Sequence, residues 1–326
     1  MTAARSAGQR FSAEDIRAAT SDIAAAFRDA PQYVHEGLSK RLGMPVVVKV
    51  ETLNPIRAFK GRGTWLAVNG LAGEGRLRAD HGAIVASSGN FGQGVAYACR
   101  ALGLPATVYV SEPTPATKVA RMRGLGARVV VVGRDFDEAR EACEAEAAAG
   151  GGLLIIDGQE PRVAVGNGTM AVEVTDGVAA GALPPIGAAY VPLGNGALLA
   201  GIGTWLRAAS PATRVVGVVA AGAPCMAISW REGRPIETTE AATYAEGIAC
   251  RVPVPEALDD LRGVVDDVLE VSEDDLHRCQ DELRGELGIT VEGAAASSWA
   301  GALASPPAGG AALLIITGSN VPPTTT

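Results

Sequence analysis

The sequence predicts an α/β protein built from mostly parallel, twisted sheets flanked by helices and arranged as two interleaved lobes. Three observations carry that expectation. From Ile84 onward, short β-branched runs alternate with helical stretches, the pattern of strands joined by crossover helices. Two apolar runs, Ala83-Ile84-Val85-Ala86 and Ala188-Ala189-Tyr190, lead into turns of small residues that open directly into helical patterns. Finally, no Pro/Gly linker splits the 326 residues cleanly. A chain of this length has room for two lobes, so its N-terminal segment is expected to rejoin the C-terminal half.

In chain order, residues 1–11 are small and polar and are expected to fray. Ser12-Ala13-Glu14-Asp15 supplies a capping serine and first-turn acids, so a helix is expected there, with apolar positions continuing to Phe27. Val46-Val47-Val48-Lys49-Val50 reads as a buried strand; Asn54-Pro55 breaks the chain, and a helix begins near Gly61. Strands are then expected at Ile84–Ser87, Thr107–Val110, Arg128–Val132 and Leu153–Ile156, with helices near 91–102, 115–124 and 135–149. A second series runs from a strand at Ala188–Leu193 through a helix to Ala208 and a strand at Arg214–Ala220. After a loop-rich stretch to about 260 come helices over Ser272–Glu286 and Val291–Leu303 and a last strand at Ala312–Thr317. That strand ends in Gly318-Ser319-Asn320, a loop at a carboxyl end, where open α/β sheets bind ligands.

Composition narrows the function. Net charge is −8, with basic residues scattered, so a nucleic-acid partner has no electrostatic support. Cys99, Cys143, Cys225, Cys250 and Cys279 are dispersed without a CxxC pair, which fits small buried side chains in a reducing compartment. No Cys/His cluster has metal-ligand spacing, and His35, His81 and His277 read as structural or solvated. Neither a signal-peptide stretch nor a transmembrane-length apolar segment is present, so the expected setting is cytoplasmic, without a membrane.

The chemistry is concentrated in Asn54-Pro55-Ile56-Arg57-Ala58-Phe59-Lys60-Gly61-Arg62-Gly63, which puts Lys60 at the mouth of a helix after a strand break. A lysine that forms a Schiff base needs such framing, because its amine must lose a proton and meet a fixed carbonyl. By itself the motif also fits a surface lysine beside a glycine-rich turn. Two further segments, Ser87-Ser88-Gly89-Asn90-Phe91-Gly92-Gln93-Gly94 and Val191-Pro192-Leu193-Gly194-Asn195-Gly196-Ala197, each present backbone N–H groups and a helix N-terminus to an anion. No GxGxxG follows the first strand and no GxxxxGK[ST] occurs, so that anion need not be a nucleotide.

Read together and in order, these segments resemble the fold-type II pyridoxal phosphate enzymes: threonine and serine dehydratases, serine racemase, threonine synthase and the tryptophan synthase β-like fold. The family's NPTGSFK-x-RG stands here as NPIRAFKGRG, its S-[SA]-GN-[HF]-xQG as SSGNFGQG, and its GGGG-LxAG as GNGALLAG. Gly166-Asn167-Gly168-Thr169-Met170-Ala171-Val172-Glu173, Thr243-Tyr244-Ala245-Glu246-Gly247-Ile248-Ala249, Val291-Glu292-Gly293-Ala294-Ala295-Ala296 and Thr317-Gly318-Ser319-Asn320 match its other motifs, so the likeness covers almost the whole chain. It implies a small mobile lobe over 81–159, carrying the substrate-carboxylate loop, that closes on a large cofactor-binding lobe of 1–80 and 160–326.

The resemblance implies roles. Lys60, preceded by Phe59, holds pyridoxal 5'-phosphate as a Schiff base and then takes the Cα proton. Gly194, Asn195, Gly196 and Ala197 cradle the phosphate, provided that φ at Ala197 is negative. Asn90 meets the ring hydroxyl, Gly247 lies against the ring, and Thr317 meets the pyridine nitrogen, where a hydroxyl favours elimination over transamination. Ser88, Gly89, Asn90 and Phe91 grip the substrate carboxylate; Ser88 could also cap the following helix, or reprotonate Cα from the opposite face. Glu292 lies near the ring or serves as a first-turn acid. The departures are Ala58 for a serine, Asn195 and Ala197 for two glycines of the phosphate turn, Phe91 for a histidine, and Val219 for the glutamate that binds a divalent cation in several relatives, so no metal is expected.

The activity implied is that of an ammonia-lyase, a threonine/serine dehydratase acting on a β-hydroxy amino acid to release a 2-oxo acid and ammonia. Alternatives on the same site are an amino-acid racemase, a β-replacement or threonine synthase-like enzyme, and a catalytically silent amino-acid-binding paralogue. A homodimer is expected. The chain ends soon after the Thr317 loop, which predicts no C-terminal regulatory domain and no feedback through one.

Overall fold

Ser12 caps the first helix, α1 (Ala13–Ala19), by a reciprocal exchange: its hydroxyl accepts from the Asp15 N–H while the Asp15 carboxylate accepts from the Ser12 N–H. The computed structural model describes residues 10–321, so residues 1–9 of the segment expected to fray lie outside it. Residues 10 and 11 do not fray: Phe11 is buried and Arg10 pairs with Asp260 at 2.6 Å. The helix also stops earlier than the apolar pattern to Phe27 suggested. Ile23 and Phe27 reach the core from turns instead, because burial, not helical period, set that pattern.

A short strand β1 (Gln32–Val34) and helix α2 (Glu36–Leu42), capped by the His35 imidazole, lead to β2 (Val46–Val50), buried at every residue. Helix α3 (Lys60–Gly73) follows the Asn-Pro break. Next come β3 (Ala83–Ala86), α4 (Asn90–Ala101), β4 (Ala106–Val110), α5 (Ala116–Gly124), β5 (Arg128–Val131), α6 (Phe136–Ala148) and β6 (Leu153–Leu154). Their strands form a four-stranded sheet in the order β5-β4-β3-β6, parallel throughout.

The chain then runs through α7 (Pro161–Ala179), β7 (Ile186–Pro192), α8 (Ala197–Ala209), β8 (Arg214–Ala220) and α9 (Cys225–Glu232). A 3₁₀ turn (Glu246–Ile248), α10 (Pro255–Asp260), β9 (Asp267–Val271), α11 (Glu273–Leu287), α12 (Gly293–Ala304) and β10 (Ala311–Ile316) complete it. These strands build a six-stranded sheet, β1-β2-β10-β7-β8-β9, parallel except for β1. The last strand of the sequence therefore lies between the second and the seventh, which is why the N- and C-terminal segments share one sheet.

Helix α7 was not among the expected helices; its buried face runs nearly all round it and carries Gly166 and Gly168. Those glycines let helices approach. A Cβ on Gly166 would stand 2.7 Å from the Arg62 carbonyl, and one on Gly201 of α8 would stand 2.0 Å from the Ala164 carbonyl. The Gly201→Ala variant is accordingly expected to lose about 1–3 kcal/mol by overpacking, read as a lower denaturant midpoint. Full stability in that variant would mean that the α7–α8 contact yields more easily than its backbone spacing allows.

Candidate active site

The loop from β2 to α3 is shaped by Asn54. Its Oδ1 accepts from the N–H groups of Ile56 (3.1 Å) and Ala58 (3.3 Å), and its Nδ2 donates to the carbonyls of Glu51 (2.8 Å) and Ala58 (3.1 Å). The tight path forces Arg57 to φ +52°, a left-handed conformation that a long side chain adopts only where its surroundings impose it. Ala58 then bridges to Gly318, and the Phe59 N–H donates to the Thr317 carbonyl at 2.9 Å. Lys60 is thus delivered to the carboxyl end of β10.

The Lys60 Nζ pairs with Asp157 Oδ2 at 2.5 Å and lies 4.8 Å from the Phe59 ring centroid and 5.9 Å from that of Phe91. Sequence reasoning missed Asp157. It stands just past β6, so its signal was the same rule that singled out the Gly318 loop: the carboxyl end of a parallel strand.

At the start of α4 the capping donor contacts go to Ser87, whose Oγ accepts from the Gly92 N–H at 3.1 Å and the Gly89 N–H at 3.3 Å. Ser88 is therefore not the cap, and its hydroxyl has no protein partner among the described residues. Asn90 donates through Nδ2 to both oxygens of Glu292 (3.0 Å each) and accepts at Oδ1 from Asn320 Nδ2 (2.6 Å). Asn320 ties the cluster back to Lys60's loop, donating also to the Ile56 carbonyl at 2.8 Å, while its N–H donates to Glu292 at 2.8 Å. Glu292 caps the backbone of α12 without a side-chain cap bond, so it is a linker between loops and not a first-turn acid. Its burial pushes the carboxyl above the usual carboxylate range, with the Asn90 and Asn320 donors opposing that shift.

The turn before α8 places its positive φ at Gly196 (+106°), and Asn195 and Ala197 both have negative φ, as the alanine requires. Ala197 differs from its neighbours in one respect: its N–H already has an acceptor, Asn195 Oδ1 at 3.1 Å, so an anion in the turn would compete with that side chain for it. Gly194 lies against Gly247, where a Cβ would meet the Gly247 carbonyl at 2.5 Å, and Gly247 in turn abuts Ala294 at the start of α12. Direct contacts therefore link Lys60, Phe91, Asn90, Glu292, Asn320, Thr317, Gly247 and Gly194 into one region.

Residues 23–318 match the family model described as pyridoxal-phosphate dependent enzyme. The chain belongs to the pyridoxal-phosphate dependent enzymes. Among its relatives in that family, L-threonine ammonia-lyase of Geobacter sulfurreducens is 37% identical over 265 residues, 81% of this chain and 64% of the relative. The chain thus spans less than two thirds of that relative's length. Catabolic L-threonine dehydratase of Staphylococcus aureus is 30% identical over 89% of this chain and 82% of its own. The solved T.th. threonine deaminase superposes with a TM-score of 0.86 at 31% identity, covering 96% of this chain and 99% of that one.

The polar groups of the site fit the cofactor of this pyridoxal-phosphate dependent enzyme. Thr317 Oγ1, Asp157 Oδ1 and Asn320 Oδ1 are buried without a hydrogen-bond partner among the described residues. Buried polar atoms are ordinarily paired; of these three residues Asp157 meets Lys60 itself, while Thr317 and Asn320 bond the loop that carries it, so their open atoms are available to a polar ligand. The same region offers the Gly194–Gly196 turn leading into the N-terminus of α8, a place where backbone N–H groups can meet an anion. Among the described residues no group of three or more His, Cys, Asp or Glu side chains could hold a metal, and no helix is long and apolar enough to cross a membrane.

Proposed function

We propose that this chain is an ammonia-lyase of the threonine/serine dehydratase type, eliminating water from a β-hydroxy amino acid to give a 2-oxo acid and ammonia. The observation that carries the reading is that the Lys60 loop, the helix start at Asn90 and the turn at Gly194 are linked into one region by way of Asn320, Glu292, Ala294 and Gly247. The relatives named for threonine chemistry support it. When bound, pyridoxal phosphate supplies the electron sink that lowers the barrier to losing a group from Cα. Lys60 would hold the cofactor and take the Cα proton. The turn of Gly194, Asn195 and Gly196, with Ala197, would bind its phosphate. Gly247 would lie against the ring, Asn90 would meet the ring hydroxyl through the remaining lone pair of Oδ1, and Thr317 would meet the ring nitrogen. Ser88, Gly89, Asn90 and Phe91 would grip the substrate carboxylate.

In this reading residues 81–159 close as a lobe over 1–80 and 160–326. Ion pairs across that boundary, Lys118 with Glu246 and Arg251 with Asp137 at 2.5 Å, lie at the surface, where such pairs contribute at most about 1 kcal/mol each and break readily. Assembly as a homodimer and a cytoplasmic setting belong to the same proposal and rest on the family likeness. One observation favours a second reading, racemisation: among the described residues the Ser88 hydroxyl has no hydrogen-bond partner, which leaves it available to serve the opposite face of Cα.

Following 2-oxo acid, ammonia and substrate chirality with L-threonine and L-serine decides between them. Release of 2-oxo acid and ammonia in equal amounts is the expected result. Loss of chirality without 2-oxo acid would replace the lyase reading with the racemase.

A further inference from the structure

We propose that Asp157 is a positioning residue for the Lys60 amine: it holds the ammonium formed when Lys60 takes the Cα proton and aims it at the departing β-hydroxyl. The leaving-group half of this rests on the ammonia-lyase reading; the ammonium-holding half rests on geometry.

The Asp157 carboxylate lies 2.5 Å from Lys60 Nζ, and the two side chains are only 18% and 14% exposed. A charge-assisted bond sheltered from water in this way is shorter and more directional than a surface pair. Its second oxygen, Oδ1, is buried with no partner among the described residues, so the carboxylate is not consumed by neighbouring donors. Glu292 differs, since Asn90 and Asn320 already occupy it. Asp157 is, among the described residues, the acid paired with Lys60.

The turn that presents Asp157 is held from several sides. The N–H groups of Gln159 and Glu160 both donate to the Ile156 carbonyl, at 3.2 and 3.1 Å. Arg10 donates to the Gly158 carbonyl at 2.8 Å and to that of Gln159, and is itself anchored on the buried Asp260. Gln159 donates to Glu256 at 3.0 Å. A carboxylate on so fixed a turn meets a flexible lysine at one place.

The proton balance is simple. The Cα–H bond breaks as an N–H bond forms on Lys60, leaving the electron pair with the substrate. The Cβ–O bond then breaks, the same proton closes an O–H bond, and water departs. Between those events the proton sits on an ammonium that would otherwise swing away or exchange with solvent. Asp157 shortens that interval.

The test uses full-length Asp157→Asn and Asp157→Glu with three readouts: capture of pyridoxal phosphate by the apoprotein, followed by absorbance; exchange of the substrate Cα hydrogen in D2O; and kcat and KM for 2-oxo acid release. Asp157→Asn is expected to capture the cofactor and keep its KM, with kcat falling ~10–100-fold. Deuterium incorporated per elimination should rise, and Asp157→Glu should recover part of kcat. The proposal is overturned if Asp157→Asn keeps kcat within about two-fold, or if cofactor capture, KM and kcat collapse together without rescue by glutamate. Should Asp157→Asn fail to fold, Asp157→Glu with an unchanged exchange ratio and kcat overturns it equally. If the parent exchanges Cα hydrogen but releases no 2-oxo acid, the lyase reading has failed on its own. Asp157 is then judged by exchange alone: a change of about ten-fold in Asp157→Asn supports its hold on Lys60, and an unchanged rate overturns it.

Discussion

Lys60→Ala is expected to stay folded, to lose the yellow colour of lysine-held cofactor, and to release 2-oxo acid at least about 10³-fold more slowly than the parent. The first residue of α3 tolerates alanine, and the amine it removes pairs with Asp157 and lies over the rings of Phe59 and Phe91. Lys60→Arg separates two properties of the lysine. It keeps a cation for Asp157, yet a guanidinium does not deprotonate at working pH. Arginine should therefore match alanine in activity while retaining more stability than alanine does. If Lys60→Arg turned over at an appreciable rate, the amine would not be the group that removes the proton. An absorbance spectrum with added pyridoxal phosphate and a 2-oxo acid assay on both variants decide the matter.

How far this site could be read without coordinates depended on whether a function resides in local backbone or in distant side chains. The turns before α4 and α8 were legible because a strand end, small residues and a helix start lie consecutively, and local geometry alone makes an anion-binding shape. Asn320 was legible only as part of its loop, without its partners, and Asp157 was not legible at all. Their partners are separated from them by long stretches of chain: Asn320 reaches Asn90 and Ile56, and Asp157 reaches Lys60. Only the order of strands in the two sheets creates those meetings. For Ser88 only the alternative of a helix cap fails. A serine before a helix is a fair cap, but Ser87, one residue earlier, accepts the N–H of Gly92 instead.

The same contrast holds for the fold. Strands β3, β4, β5 and β8 announce themselves as β-branched runs, whereas β9 (Asp-Val-Leu-Glu-Val) is a sheet edge whose polar residues mask it. The loop-rich stretch before 260 contains α9 and α10, whose few residues pack by contacts no local period reveals.

A second large effect lies directly beneath Lys60. Arg62, 1% exposed, forks onto Glu51 with two 2.8 Å bonds and reaches Glu173 at 2.6 and 3.0 Å and Thr169 at 3.1 Å. Lys49, fully buried, donates to Glu173 and to the Ala30 carbonyl and lies 3.9 Å from Glu51. Two cations thus balance two carboxylates where β2, α3 and α7 meet. Burial works against the Arg62 charge, but Glu51 and Glu173 outweigh it and hold the guanidinium above its ordinary range. Burial prevails at Lys49, lowering it despite the same two acids. Arg62→Ala would leave two carboxylates facing one lysine that already resists its charge. Breaking a buried network by removing one partner costs about 3–5 kcal/mol, and that is the expected loss, read as a shift of the denaturant midpoint of the apoprotein. Arg62→Lys keeps the charge but loses the fork, so it should fall between alanine and the parent. Because Arg62 sits two residues past Lys60, both variants should also capture pyridoxal phosphate more slowly. A loss under about 1 kcal/mol for Arg62→Ala would mean that water enters the vacated space and solvates the acids, and the network would then be a surface cluster in all but position.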